Sequence, residues 1–239
     1  MNRIAALALL FACTAQAQIS PRPPDAIIPV AGSTRGQSNA NFKTELQLTN
    51  TTDKTIGGWL LYRPHGKLHR YDVPAHGTLS FDDVIATMGG SGLGSIDVLA
   101  DSSAIPVIVA RAYDDQPAGT TGVTVPALLT PQVLIREHIG ALIAPRDLTR
   151  YRFNVGVRTL DNGATILGIV RSETGAERVR FQIAFPPNYF EQQTGNAFTG
   201  ITLNANDSIQ FRVEAGSVIL YATTVDNITN DSSIQVPRR

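Results

Sequence analysis

Cysteine is nearly missing from this 239-residue chain: the single one, Cys13, lies in the first stretch, which reads as a cleavable export signal. With that stretch removed, disulfides, thiolate nucleophiles and cysteine-ligated metals are excluded from the expected mature chain. Charge is sparse too. Charged side chains make up 17% of the residues, and 20 basic groups cancel 20 acidic ones, against about 25% charged residues in an ordinary soluble domain. Neither a nucleic-acid binder nor a polybasic membrane-surface protein is expected from such a balance. Lysine is scarce within the basic set, 3 residues against 17 arginines. Long apolar runs are lacking as well, because the run Ile4 to Ala12 is nine residues and a spanning helix needs about 20. Preceded by Arg3 and followed by Ala15-Gln16-Ala17, that run has the anatomy of a signal peptide over 1–17, giving a mature chain from Gln18. A second reading stays open, in which Leu10-Phe11-Ala12-Cys13 is a lipoprotein box and Cys13 carries the lipid.

What is abundant points to strands and turns: 23 threonines, 20 glycines and 14 prolines, with apolar residues in strict alternation over short stretches. An all-β protein is expected. The chain also repeats itself. Phe42-Lys43-Thr44-Glu45-Leu46-Gln47-Leu48 aligns with Tyr151-Arg152-Phe153-Asn154-Val155-Gly156-Val157 at an offset of 109, and both copies place alternate residues on an apolar face. Val107-Ile108-Val109 aligns with Val218-Ile219-Leu220 at an offset of 111, which pairs Asp115 with Asp226 and turns both Val109 and Leu220 inward. The expected organisation is a Pro-rich leader over 18–26, an antiparallel Ig-like β-sandwich over 27–127, a packed connection over 128–140 and a second sandwich over 141–239. Breaks are expected at Asn50-Thr51-Thr52-Asp53 and Asp161-Asn162-Gly163, and a short helix over 82–88 capped by Asp82.

Several of these runs carry a family resemblance. Ile28-Pro29-Val30-Ala31-Gly32, Tyr62-Arg63-Pro64-His65-Gly66 and Ala110-Arg111-Ala112-Tyr113-Asp114-Asp115 resemble a β-sandwich module that occurs in tandem in exported bacterial proteins. Tyr151 to Val157 and Tyr221 to Asp231 resemble the ends of the paired module. The resemblance implies fold class and export, and it brings no activity or catalytic residue with it. Leu160, where the module often carries Asn, and Thr121, where it often carries an aromatic, depart from the pattern.

Candidate chemistry is thin. His65 and His69 have a metal-like spacing, but Pro64 and Gly66 put His65 in a turn, so no catalytic, cofactor or metal residue is assigned. His76 and His138 read as solvated turn residues. The turn near the end of each copy, with Asp114 and Asp115 in one and Asp226 and Asp231 in the other, offers oxygen ligands for calcium, though fewer than the six to eight that ion takes. The favoured role of Asp115 and Asp226 is instead to accept backbone amides of their own turns. Trp59, Tyr62 and Tyr71 could stack on a sugar. Three functions therefore compete: a non-catalytic exported structural or interaction module with an envelope or extracellular partner, a carbohydrate-binding module, and a hydrolase whose site is gathered from distant loops.

Overall fold

The computed structural model describes residues 22–37 and 39–237; the expected signal peptide, with Cys13, and the start of the expected leader lie outside them. Two antiparallel sheets account for nearly all regular structure, so the chain is all-β. The first sheet begins with β1 (Ala26–Arg35), β2 (Asn41–Thr49), β3 (Ile56–Arg63), β4 (Lys67–Val73) and β5 (Thr78–Phe81). After helix α1 (Val84–Thr87) come β6 (Gly92–Ala100), β7 (Val107–Gln116), β8 (Gly119–Val125) and β9 (Leu128–Leu129). Helix α1 is capped by Asp83 rather than Asp82: the Asp83 carboxylate accepts the Ala86 amide at 3.0 Å. Strand β1 joins the two layers of this half. Its first part pairs with β6 and its last two residues with β2, and the pairing with β6 is irregular between Ile28 and Ala31, where Pro29 has no N–H to donate.

The second sheet contains β10 (Leu134–Ile135), β11 (Ile139–Ile143), β12 (Tyr151–Arg171), β13 (Glu177–Phe185), β14 (Phe190–Thr194), helix α2 (Gly195–Thr199), β15 (Ser208–Asp226) and β16 (Ser232–Gln235). Strands β12 and β15 are 21 and 19 residues long, and β12 runs on through the break expected at Asp161-Asn162-Gly163. They run through both layers and turn a shared corner, at which their register breaks between Thr159 and Ala164. Gly163 and Gly216 make the bend with φ of 63° and 76°, and a Cβ on Gly216 would lie 2.0 Å from the Gly163 carbonyl oxygen. Only glycine fits there, and the Asp161-Asn162-Gly163 turn signal marks a strand corner instead of a chain reversal.

The first half breaks its chain where the second keeps it continuous. Asn50 closes the break, donating from Nδ2 to the carbonyls of Lys54, Val73 and Pro74 at 2.7, 3.0 and 3.0 Å. At the matching place Thr159 donates to the Pro186 carbonyl at 2.7 Å, so the corner is tied without an asparagine, and Leu160 is free to pack between the halves.

Strand registers correct the repeat alignment by one residue. Phe42 pairs with Asp114 and Leu46 with Ala110 in one half; Tyr151 pairs with Asp226 and Val155 with Ala222 in the other. The first strand is thus shifted by 109 residues but its partner by 112, not 111. Ile108 takes the position of Leu220, and Val109 faces solvent, 46% exposed, rather than the core. Because side chains alternate, a one-residue slip reverses every face assignment on β7.

Candidate functional site

The two halves share packing instead of standing apart. Along β12, Phe153, Val155 and Val157 fill the second core, which leaves Arg152, Asn154 and Arg158 on the opposite face. That face packs on the first half. Tyr221, from the neighbouring β15, is fully buried within the first half's core, with Phe190, Ile234 and Val236 packed beside it. Burial pushes the Tyr221 hydroxyl well above the ordinary tyrosine value, so it stays protonated and donates to Gln192 Oε1 at 3.1 Å. A smaller apolar cluster joins Ile27 and Leu128 to Val133, Leu160 and Ile219.

Polar side chains pin the junction on either side of this apolar contact. On one side Arg158, 0% exposed, donates from Nη2 to both oxygens of Asp97 at 2.7 and 2.8 Å, and Arg63 donates to the same carboxylate at 3.1 Å. The remaining guanidinium nitrogens of Arg158, Nε and Nη1, have no acceptor among the described residues. On the other side Arg152 donates to the amide oxygens of Asn227 and Asn230 at 3.1 and 2.9 Å, and Asn230 Nδ2 donates across the junction to Asp114 at 3.1 Å. The Asp114 carboxylate also accepts the Asn41 amide at 2.6 Å and Gln116 Nε2 at 2.8 Å.

Between the Tyr221 contact and the Arg152 bonds the halves do not close. A cleft of about 540 Å³ remains, walled by Val30, Val123 and Val125 from the first half and Val225 and Ile234 from the second. Arg152, Asn154, Gln192 and Thr223 converge on it from β12, β14 and β15, and the exposed turn at Arg35–Gln37 borders its opening. Arg152 is partly desolvated there, which lowers its pKa from the usual arginine value despite the nearby charges of Asp114 and Asp226. The cleft has the make-up of a ligand pocket, predominantly apolar with a few placed polar groups.

The chain matches no protein-family model, and a search of the curated proteins returns no match. Among the described residues no helix is long and apolar enough to cross a membrane.

The residues singled out in the sequence are mostly drawn into structural work. Tyr62 and Tyr71 are buried in the first core at 0% and 1% exposure, because their strand parity turns them inward; the proposed stacking surface is reduced to Trp59. Trp59 stays 41% exposed, with the Arg70 guanidinium 5.7 Å from its ring centre and Arg70 held by Asp72 and Asp101. His65 stacks on Tyr62 at 4.8 Å and His69 lies edge-on to Phe81 at 5.5 Å, so each ring has its own partner. His76 bonds Asp53 at 2.9 Å, and the His138 ring accepts the Ile135 amide at 3.2 Å. The described residues contain no cluster of three or more metal-ligating His, Cys, Asp or Glu side chains.

The four aspartates of the proposed calcium turns separate. Asp226 accepts the Ile228 and Thr229 amides at 2.8 and 3.2 Å, as expected, and also Arg150 at 2.9 Å. Among the described residues Asp115 accepts no turn amide and pairs with Lys43 at 2.6 Å, while Asp114, at the register position of Asp226, accepts the Asn41 amide from β2 rather than an amide of its own turn. Asp231 accepts the Ser232 amide at 3.0 Å. Missed altogether were Arg152, Arg158 and Asp97. The signal for the first two was present, as arginines on the polar face of a strand in a chain with few lysines, since Arg is the cation suited to buried and interface pairs.

The Ile228 amide, foremost, and Arg150 hold the Asp226 carboxyl below its ordinary value of 3.8. Its stabilising contribution is therefore complete above that value and disappears as pH falls through the lower folded value. Melting temperatures measured between about pH 5 and pH 2 should fall steeply, and Asp226→Asn should flatten this acid limb while lowering stability at neutral pH. An unchanged acid limb in the variant would assign acid unfolding to other carboxylates.

Proposed function

We propose that this chain is an exported, non-catalytic binding module of the bacterial envelope or extracellular space, made of two duplicated Ig-like sandwich halves and working through the cleft at their junction. The observation that carries this reading is the cleft itself. Protein interiors are close-packed, and this junction is tight at one end, with a fully buried tyrosine and a buried ion pair, and tied at the other by Arg152, Asn230 and Asp114, yet about 540 Å³ stays unfilled. A junction selected only to stiffen the molecule would be expected to close over such a volume. The matching strand pairs Leu46–Ala110 and Val155–Ala222 support a duplication, and the apolar run with its Ala15-Gln16-Ala17 site supports export.

Intact-mass and native mass spectrometry of the protein isolated from its producing cells test both parts. The expected chain starts at Gln18 and carries a small-molecule adduct, which Val123→Trp, filling the cleft from β8, removes. A diacylglyceryl group on Cys13 would replace release by anchoring. Turnover of an ester, peptide or glycoside, abolished by one His or Asp substitution that leaves the melt intact, would overturn the non-enzymatic reading.

A further inference from the structure

The cleft lining has a charge asymmetry that narrows its ligand. Among the described residues three cationic ones, Arg35, Lys43 and Arg152, contribute to its wall, and no aspartate or glutamate does. Lys43 is neutralised by Asp115. Arg35 is exposed at the mouth. Arg152 is the cation held against the apolar interior, and its direct partners are the neutral amide oxygens of Asn227 and Asn230. The acids nearest to it, Asp114 and Asp226, do not line the cleft. Two of the five N–H donors of an arginine are engaged by those two amides.

We propose that the inter-half cleft binds an amphipathic carboxylate, with its head on Arg152 and its apolar body between Val30, Val123, Val125, Val225 and Ile234. This rests on the reading of the cleft as the binding site. A cation in a partly desolvated wall gains from a carboxylate what it lost by leaving water, because charge-assisted hydrogen bonds strengthen where the dielectric is low. An uncharged ligand of the same shape would recover the apolar term alone. A cationic one would meet Arg152 and Arg35 with no carboxylate on the wall to offset them. The volume of the cleft, about 540 Å³, suits a medium-length acyl chain or an aromatic acid and is within the usual range for small-molecule sites.

Titrations of the isolated chain with decanoate and with 1-decanol, both below their aggregation limits, separate the two terms. Decanoate should bind at least about tenfold more tightly, a difference near 1.4 kcal/mol, and added salt should weaken decanoate selectively. Arg152→Met, which keeps the stem and removes the charge, should abolish the preference while retaining decanol binding. Amide chemical-shift changes in the unsubstituted chain should be confined to 30–37, 42–44, 93, 112, 123–125, 152–154, 192, 223–225 and 232–234, a readout that does not depend on any variant folding. Equal affinity for the two probes, or a preference that survives Arg152→Met, would overturn the carboxylate assignment and leave the cleft reading standing. Shift changes centred elsewhere, or no binding of either probe, would overturn both.

Discussion

Asp97→Asn should be among the most damaging single substitutions in this protein, costing about 3–5 kcal/mol although it removes one charge and no volume. The cost comes from Arg158, not from Asp97. Arg158 is 0% exposed, its only hydrogen-bonded acceptors among the described residues are the two oxygens of Asp97, and Nε and Nη1 are already unpartnered. Without the carboxylate a guanidinium would stay charged in a site that neither water nor protein neutralises. Arg63, about one-third exposed, can turn toward solvent and loses little. Pairing Asp97→Asn with Arg158→Met should therefore restore much of the loss, since an apolar side chain tolerates the site that an orphaned cation does not. Urea denaturation of the two single variants and the double variant gives the coupling directly. A stability change in Asp97→Asn within about 0.5 kcal/mol, the range of ordinary surface substitutions, would show that the pair does not hold the halves together.

Gly156→Ala is expected to be nearly as severe, for a steric reason. Gly156 sits directly opposite Tyr221 across the β12–β15 ladder, and the tyrosine ring lies over it: an added Cβ would be 1.9 Å from Cζ and 2.2 Å from Cε1. In an exposed strand the ring would swing aside. Here it is enclosed by the first half's core and its hydroxyl is bonded to Gln192, so relief requires the halves to separate. Overpacking typically costs 1–3 kcal/mol, and about 3 kcal/mol or more is expected where no side of the clash can yield. Tyr221→Ala should cost about 3–5 kcal/mol through the cavity it leaves. The double variant should be more stable than the sum of the two losses by more than 1 kcal/mol, because the clash vanishes with the ring. Additive losses would mean that ring and glycine do not meet.

Much of the architecture was legible because it is written in local alternation. The apolar faces of Phe42 to Leu48 and Tyr151 to Val157 are read correctly from period two. Alternation does not say whether a strand stops or bends. The Asp161-Asn162-Gly163 signal promised a turn, and only the close approach of Gly216 to the Gly163 carbonyl, with Gly216 in register with Ala164, reveals one continuous strand. For the same reason nothing in the alternation marks the strand Phe190–Thr194, which is polar at four of its five positions.

Local alternation was enough for an all-β chain and for the apolar faces of β2 and of Tyr151 to Val157, since these follow from neighbours two residues apart. Register was decided by tertiary structure, because it belongs to two strands at once: one residue of slip between β2 and β7 separates Asp114, buried and tied to the other half, from Asp115, exposed on Lys43. Burial of the arginines was decided there too. Arg152 and Arg158 occupy the polar face of β12, where a single sandwich would leave them in water; the first half covers that face, with Asp97 reaching Arg158 from 61 positions away in sequence. No pattern inside one strand carries that information, and the cleft beside Arg152 exists only because both halves are present to wall it.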